Sequence, residues 1–134
     1  LKATVHTNSR SIAADDFFTG MFETALEEDE IIESISFSKP TKANYVKFPN
    51  PASRYAMVGV FVAKFGEGVR VAVTGAGEGG VFRHKEMETA LSSNYSSDSL
   101  SSLNIASDGL ISDLHASAEY RANLIKEMTK RAVV

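Results

Sequence analysis

Residues 55–74 read YAMVGVFVAKFGEGVRVAVT, and this stretch decides the fold. From Tyr55 to Phe65, β-branched and aromatic residues occupy both faces of an extended chain, as in a central strand covered on both sides. Gly66-Glu67-Gly68 predicts a turn, and Val69, Val71 and Val73 then alternate in phase. Two apolar strands joined by a short Gly-rich link form a β-hairpin and therefore an antiparallel pair.

Upstream, Asn44 to Phe48 is a second extended segment, closed by Pro49-Asn50-Pro51. Alternation puts Tyr45 and Lys47 on one face and Val46 and Phe48 on the other. Ile31 to Phe37 also has period two. Ile31, Ile35 and Phe37 share a face with Glu33, opposite Ile32, Ser34 and Ser36, which predicts a strand with one face toward a core. Residues 1–14 are mixed, and Val5 to Ile12 is too polar for a buried strand. Asp15-Asp16-Phe17-Phe18 has the pattern of a capped helical turn with its aromatics inward. The run Glu27-Glu28-Asp29-Glu30 reads as a solvated turn.

Downstream, Gly75 to Gly80 reads as a turn leading into a short helix over 84–91. The serine-rich tract 92–98 is a loop, with Ser97 or Asp98 capping a short helix through Ile105. Ser112-Asp113 is expected to open the longest helix, along which Leu114, Ala118, Ile125, Met128 and Ala132 recur at helical spacing. Strands first and helices last predict an α+β domain: an antiparallel β-sheet of three to four strands packed against a C-terminal helical bundle.

The 134 residues fit one domain, and 43% hydrophobic content is enough for a core. A net charge of −3 gives no basic surplus for a nucleic-acid backbone. No apolar run approaches the ~20 residues of a membrane-spanning helix. With no cysteine, disulfides, thiolate zinc sites and cysteine nucleophiles are excluded from the chain, which suits a reducing, cytoplasmic compartment. A start at Leu1 without an initiator Met reads as a piece of a longer protein.

Gly75-Ala76-Gly77-Glu78-Gly79-Gly80 satisfies G-x-G-x-x-G, the pattern whose glycines let a backbone approach a pyrophosphate. Its preceding strand belongs to a hairpin, however, and no second apolar strand follows at the spacing of a dinucleotide-binding unit. His6, His84 and His115 are scattered. His115 and Glu119 fall four apart on the expected helix, which is too few groups for a metal site. No serine lies in G-x-S-x-G. The residues themselves give no catalytic set and no metal ligands.

Several blocks nonetheless follow one another in a telling order: IAADDFFTGMFETALEEDEIIESI (12–35), YVKF (45–48), RYAMVGVFVA (54–63), VRVAVTGAG (69–77), ETAL (88–91) and SDLHASAEYRANLIKEMTKRAV (112–133). Together they resemble the C-terminal part of the FAD-binding medium subunit of aerobic carbon monoxide dehydrogenases, in the xanthine dehydrogenase family of molybdenum hydroxylases. The resemblance implies a tail of the FAD-binding middle domain and linker over 1–28, and a C-terminal domain over 29–134. It also implies FAD in the intact subunit, an iron–sulfur small subunit and a molybdenum large subunit as partners, and electron transfer from iron–sulfur clusters to FAD. Residue by residue, Ile32 would pack on the flavin ring, Tyr45 would flank it, and Lys47 would place a positive charge beside it. The family's pyrophosphate motifs are missing, so FAD is not expected on this piece alone. An open strand edge in residues 1–14 makes a homo-oligomer a further expectation. The rival readings are a non-enzymatic α+β protein-interaction module sharing the fold, and a dinucleotide-binding domain built on Gly75 to Gly80.

Overall fold

The computed structural model describes residues 1–133 and divides into two compact units, Leu1–Lys39 and Pro40–Val134.

In the first unit, Thr4–Thr7 (β1) and Ser11–Ala13 (β2) form a hairpin, and Ile32–Ser36 (β5) pairs antiparallel on the other side of β1. Between them lie one helical turn, Ala14–Phe17 (α1), and the short pair Phe18–Gly20 (β3) and Glu23–Thr24 (β4). Here the structure qualifies the reading of Val5 to Ile12 as too polar for a buried strand: the segment forms two half-buried strands. A strand needs only alternate positions inside, and Val5, Thr7 and Ile12 supply them. Phe17 joins this small core beside Ala25 and Leu26, whereas Phe18 points outward, and Ala13 offers α1 no side-chain cap. β5 is extended as expected, but Ile31, Ile35 and Phe37 are exposed, although Ile35 pairs with the buried Val5 of β1.

The acidic run is not uniformly solvated either. The Glu30 side chain is only 4% exposed. Its Oε1 accepts from Arg10 Nε at 2.8 Å, Ser9 Oγ at 2.7 Å and Thr7 Oγ1 at 3.0 Å, while Oε2 accepts from Arg10 and from the Glu27 amide. One carboxylate thus ties the β1–β2 turn to the 27–30 loop. The Arg10 hydrogen bonds, then those of Ser9 and the Glu27 amide, hold its pKa far below the usual carboxylate range.

The second unit is a four-stranded antiparallel sheet of Lys42–Pro49 (β6), Ala56–Phe65 (β7), Gly68–Gly77 (β8) and Gly80–Arg83 (β9), hydrogen-bonded in that order. The hairpin expected over 55–74 is present. Phe65 pairs with Gly68 around a Gly66-Glu67 turn, and β7 lies inside the sheet. The segment Gly75 to Gly80 differs from expectation. It is a second hairpin: Gly77 pairs with Gly80 and β9 returns alongside β8. That geometry removes the strand–turn–helix crossing a dinucleotide fingerprint requires. β9 escaped the sequence reading because a four-residue strand behind a glycine cluster leaves almost no periodic signal.

Val58, Val60, Val62, Val71 and Val73 are fully buried beneath the helices. Lys85–Ser93 (α2) covers β8, and Ala118–Ala132 (α3) lies on β6 and β7. α2 also finishes the edge of β8 beyond the reach of β9. Glu88 Oε1 accepts the Val71 amide at 3.1 Å and Ser92 Oγ accepts the Val69 amide at 2.8 Å. Two side chains one helical turn apart thus stand in for a missing strand. Ser97–Leu100 is a single 3-10 turn capped by Ser96, shorter than the helix expected through Ile105. α3 starts at Ala118 under a Ser117 cap, not at Ser112. Asp113 instead folds the preceding segment into a tight turn, accepting the His115 and Ala116 amides, and leaves Leu114 91% exposed. His115 therefore lies outside the helix that carries Glu119. The observed class is the expected α+β arrangement of an antiparallel sheet with helices packed on it.

Candidate functional site

On β6 the alternation holds: Val46 and Phe48 pack against the core, and Tyr45 and Lys47 share the outer face. Tyr45 is 47% exposed. The hydroxyl end of its ring lies against Gly59, the partner of Lys47, diagonal to its own cross-strand partner Phe61. A Cβ added to Gly59 would meet Tyr45 Cε2 at 3.1 Å and crowd its hydroxyl, so a side chain there would make the ring shift. Such diagonal contacts are within reach of aromatic side chains on one sheet face.

Lys47 Nζ donates to the Arg54 carbonyl at 3.0 Å. That carbonyl belongs to the turn joining β6 to β7. Asn50 Oδ1 accepts the Ala52 and Ser53 amides, the Asn50 carbonyl accepts the Arg54 amide, and Arg54 has φ 64°. A left-handed conformation costs a non-glycine residue roughly 1–2 kcal/mol. The cost is carried within a turn whose amides are satisfied, and one result is a carbonyl facing the ammonium of Lys47. One of three ammonium donors is thereby used.

Ile32 lies in the first unit on β5, opposite Thr7, and is 41% exposed. Its position as an apolar residue among serines on that face is as the sequence indicated. Tyr45 and Lys47 are brought together on one strand of the second unit. Gly59 and Arg54 complete their surroundings and were not singled out from the sequence. A lone glycine inside a β-branched strand is the one signal available, since it marks a close approach. The left-handed Arg54 leaves no sequence mark.

The Gly-rich hairpin lines a separate cleft of about 510 Å³ in the second unit, together with His84, Ile105, Asp108 and Leu110. The basic groups of its lining, Arg83 and Lys85, are paired with Glu88. Arg83 makes a two-pronged pair with Glu88, Nε to Oε1 at 2.7 Å and NH2 to Oε2 at 2.6 Å. Burial raises the Glu88 pKa, but the Arg83 pair and the Val71 amide outweigh it and the net shift is downward. Burial lowers the pKa of His84, against the pull of Glu86 and Glu88, while its Nδ1 caps α2 at the Met87 amide. The buried Arg121 is likewise committed: it donates to the Met57 and Gly75 carbonyls and to Asp113 Oδ2. Among the described residues, no three His, Asp or Glu side chains gather as metal ligands would, and no helix is long and apolar enough to cross a membrane.

With this geometry in place, the chain can be set against known proteins. It is 34% identical to the nicotine 6-hydroxylase medium subunit of Paenarthrobacter nicotinovorans, over 93% of this chain and 47% of that one. The resemblance to hydroxylase medium subunits is borne out. The chain spans about half the length of this medium-subunit relative. The fold is also that of a chain in the crystal structure of quinoline 2-oxidoreductase from Pseudomonas putida 86. The match has a TM-score of 0.76 at 23% identity and covers 99% of this chain and 51% of that one. No family model matches the sequence.

Proposed function

We propose that this chain is the C-terminal part of the FAD subunit of a molybdenum hydroxylase of the carbon monoxide dehydrogenase type. Its role is to pack beside the flavin ring and to help assemble the subunit with iron–sulfur and molybdenum partners in the cytoplasm. The observation that carries this reading is the match to a medium subunit along 93% of the chain. The two units suit a domain division in which the second, Pro40–Val134, is the C-terminal domain and the first is the tail of the FAD-binding middle domain. β5, grouped with the C-terminal domain over 29–134 in the sequence reading, is hydrogen-bonded to β1, which favours drawing that boundary after Lys39.

Tyr45 and Lys47 fit a flavin edge in their chemistry. A half-exposed aromatic ring offers a flat apolar surface, and a held ammonium with donors to spare complements negative charge. Ile32, exposed on β5, offers by itself an apolar surface of the kind a flavin ring packs on. FAD would supply the redox chemistry, and the protein's part is to bind, orient and bias the ring electrostatically. In that role Lys47 favours the more negatively charged form of its neighbour, while Tyr45 shields it from water.

The test is to purify the full-length subunit that contains this chain and to measure flavin released on denaturation. Stoichiometric FAD, with flavin potential lowered by Lys47→Met, is the expected result. A subunit that carries no flavin, yet still captures protein partners, would overturn it in favour of the interaction module.

A further inference from the structure

We propose that Gly59 and Arg54 are positioning residues that set Tyr45 and Lys47 to receive a flat heteroaromatic group with negative charge along one edge. The proposal rests on the reading of Tyr45 and Lys47 as flavin contacts, and it assigns work to two residues that touch no cofactor themselves.

Lys47, Gly59 and Thr74 form one row across three strands of the outer sheet face. The middle member has no side chain, so the row is notched, and the hydroxyl end of the Tyr45 ring lies against the notch. A side chain at Gly59 would make the ring shift, because a Cβ there meets Tyr45 on one side and Thr74 Cγ2 at 2.9 Å on the other. The hydroxyl end of the ring therefore rests in the Lys47 row. The second device acts on Lys47. Its long stem has many rotamers, and the Arg54 carbonyl selects those that keep Nζ over the β6–β7 turn. The carbonyl faces that way because Arg54 is left-handed at φ 64°. A flat apolar plate beside a cation of restricted position matches a planar ring better than a phosphate, which would want several convergent donors.

The first experiment needs no cofactor. In the NMR spectrum of this chain, the Gly59 α-protons are expected to be displaced by the ring current of Tyr45, and Tyr45→Ala should abolish the displacement. Gly59 α-protons at ordinary positions would overturn the proposal. The second uses the full-length flavin-loaded subunit. Gly59→Ala is expected to change the visible circular dichroism of the flavin and weaken its retention about tenfold, the effect of losing one good contact. In a Tyr45→Ala background the same substitution should do nothing more. Arg54→Gly and Arg54→Val both remove the guanidinium charge, but only Gly keeps the left-handed turn, so the Val variant should lower the flavin potential further, toward that of Lys47→Met. Silence of both Tyr45→Ala and Lys47→Met would sink the flavin-contact reading itself. Clear effects of those two, with none from Gly59→Ala or Arg54→Val, would sink only the positioning role. Should Gly59→Ala fail to fold, recovery on adding Tyr45→Ala supports the proposal and continued failure overturns it.

Discussion

The two units reach order by different means. In Pro40–Val134, neighbouring strands and two helices close over a continuous apolar core that includes Val60, Val62, Val71, Leu91 and Ile125. Each such side chain contributes roughly 1.5–3 kcal/mol by leaving water, so the unit rests on many similar terms. Leu1–Lys39 buries only Val5, Ile12 and Phe17 as its apolar centre. It relies instead on one carboxylate, Glu30, which gathers Arg10, Ser9, Thr7 and the Glu27 amide. A large core tolerates the loss of one member, whereas a saturated polar pin concentrates its contribution in a single group.

The largest blow to that contrast is expected from Ile125→Ala in the well-packed unit. Ile125 is fully buried, and its truncation should cost about 2–5 kcal/mol in a denaturant midpoint measurement. A loss near zero would mean that the core of this unit is loosely packed. Arg121→Met comes next, at about 1–3 kcal/mol, because it strips donors from the Met57 and Gly75 carbonyls. Hydrogen exchange should show the loss first at the start of β7.

The polar unit is tested by Glu30→Gln, which keeps the shape and removes the charge. Hydrogen-exchange protection of Val5 and Ile12 should fall clearly. Because the folded pKa of Glu30 is depressed, its contribution is present above the unfolded carboxylate range and lost as pH falls through that range toward the folded value. Acid should therefore open the β1–β2 turn in the native protein, and the Gln variant should lack that acid step.

The smallest effect is expected from His84. Burial lowers its pKa, so neutral imidazole favours the folded state. That stabilisation is complete above the ordinary imidazole value of 6.5 and is lost as pH falls below it. Protonation also turns the capping Nδ1 from acceptor to donor against the Met87 amide. A mild loss of α2 helicity below that pH is predicted, and His84→Asn, which caps without titrating, should flatten it. An unchanged pH profile in the Asn variant would remove His84 from the account.

Much of the second unit was legible because its strands are long and strongly patterned. The hairpin over 55–74 follows from an apolar run, a Gly-rich turn and an alternating run, and the shared face of Tyr45 and Lys47 from period two. β9 was not legible, being four residues behind a glycine cluster. The α3 start was misplaced because Ser112 and Ser117 both look like caps. Only the folded chain shows Asp113 spending its side chain on a turn and on Arg121. Glu30 was hidden among like neighbours, since nothing in Glu27-Glu28-Asp29-Glu30 says which carboxylate will meet Arg10.

By itself, then, the sequence determined the class of fold, the central hairpin and the kinship with hydroxylase medium subunits, all written in local periodicity and in the order of blocks. Tertiary structure alone decided that Gly59 is a floor for Tyr45, that Arg54 holds Lys47 and that α2 finishes the edge of β8. The physical reason is the same in each case. These are contacts between residues on different strands, helices or turns, where identity depends on register and on a few ångströms of approach, and no one-dimensional pattern encodes either.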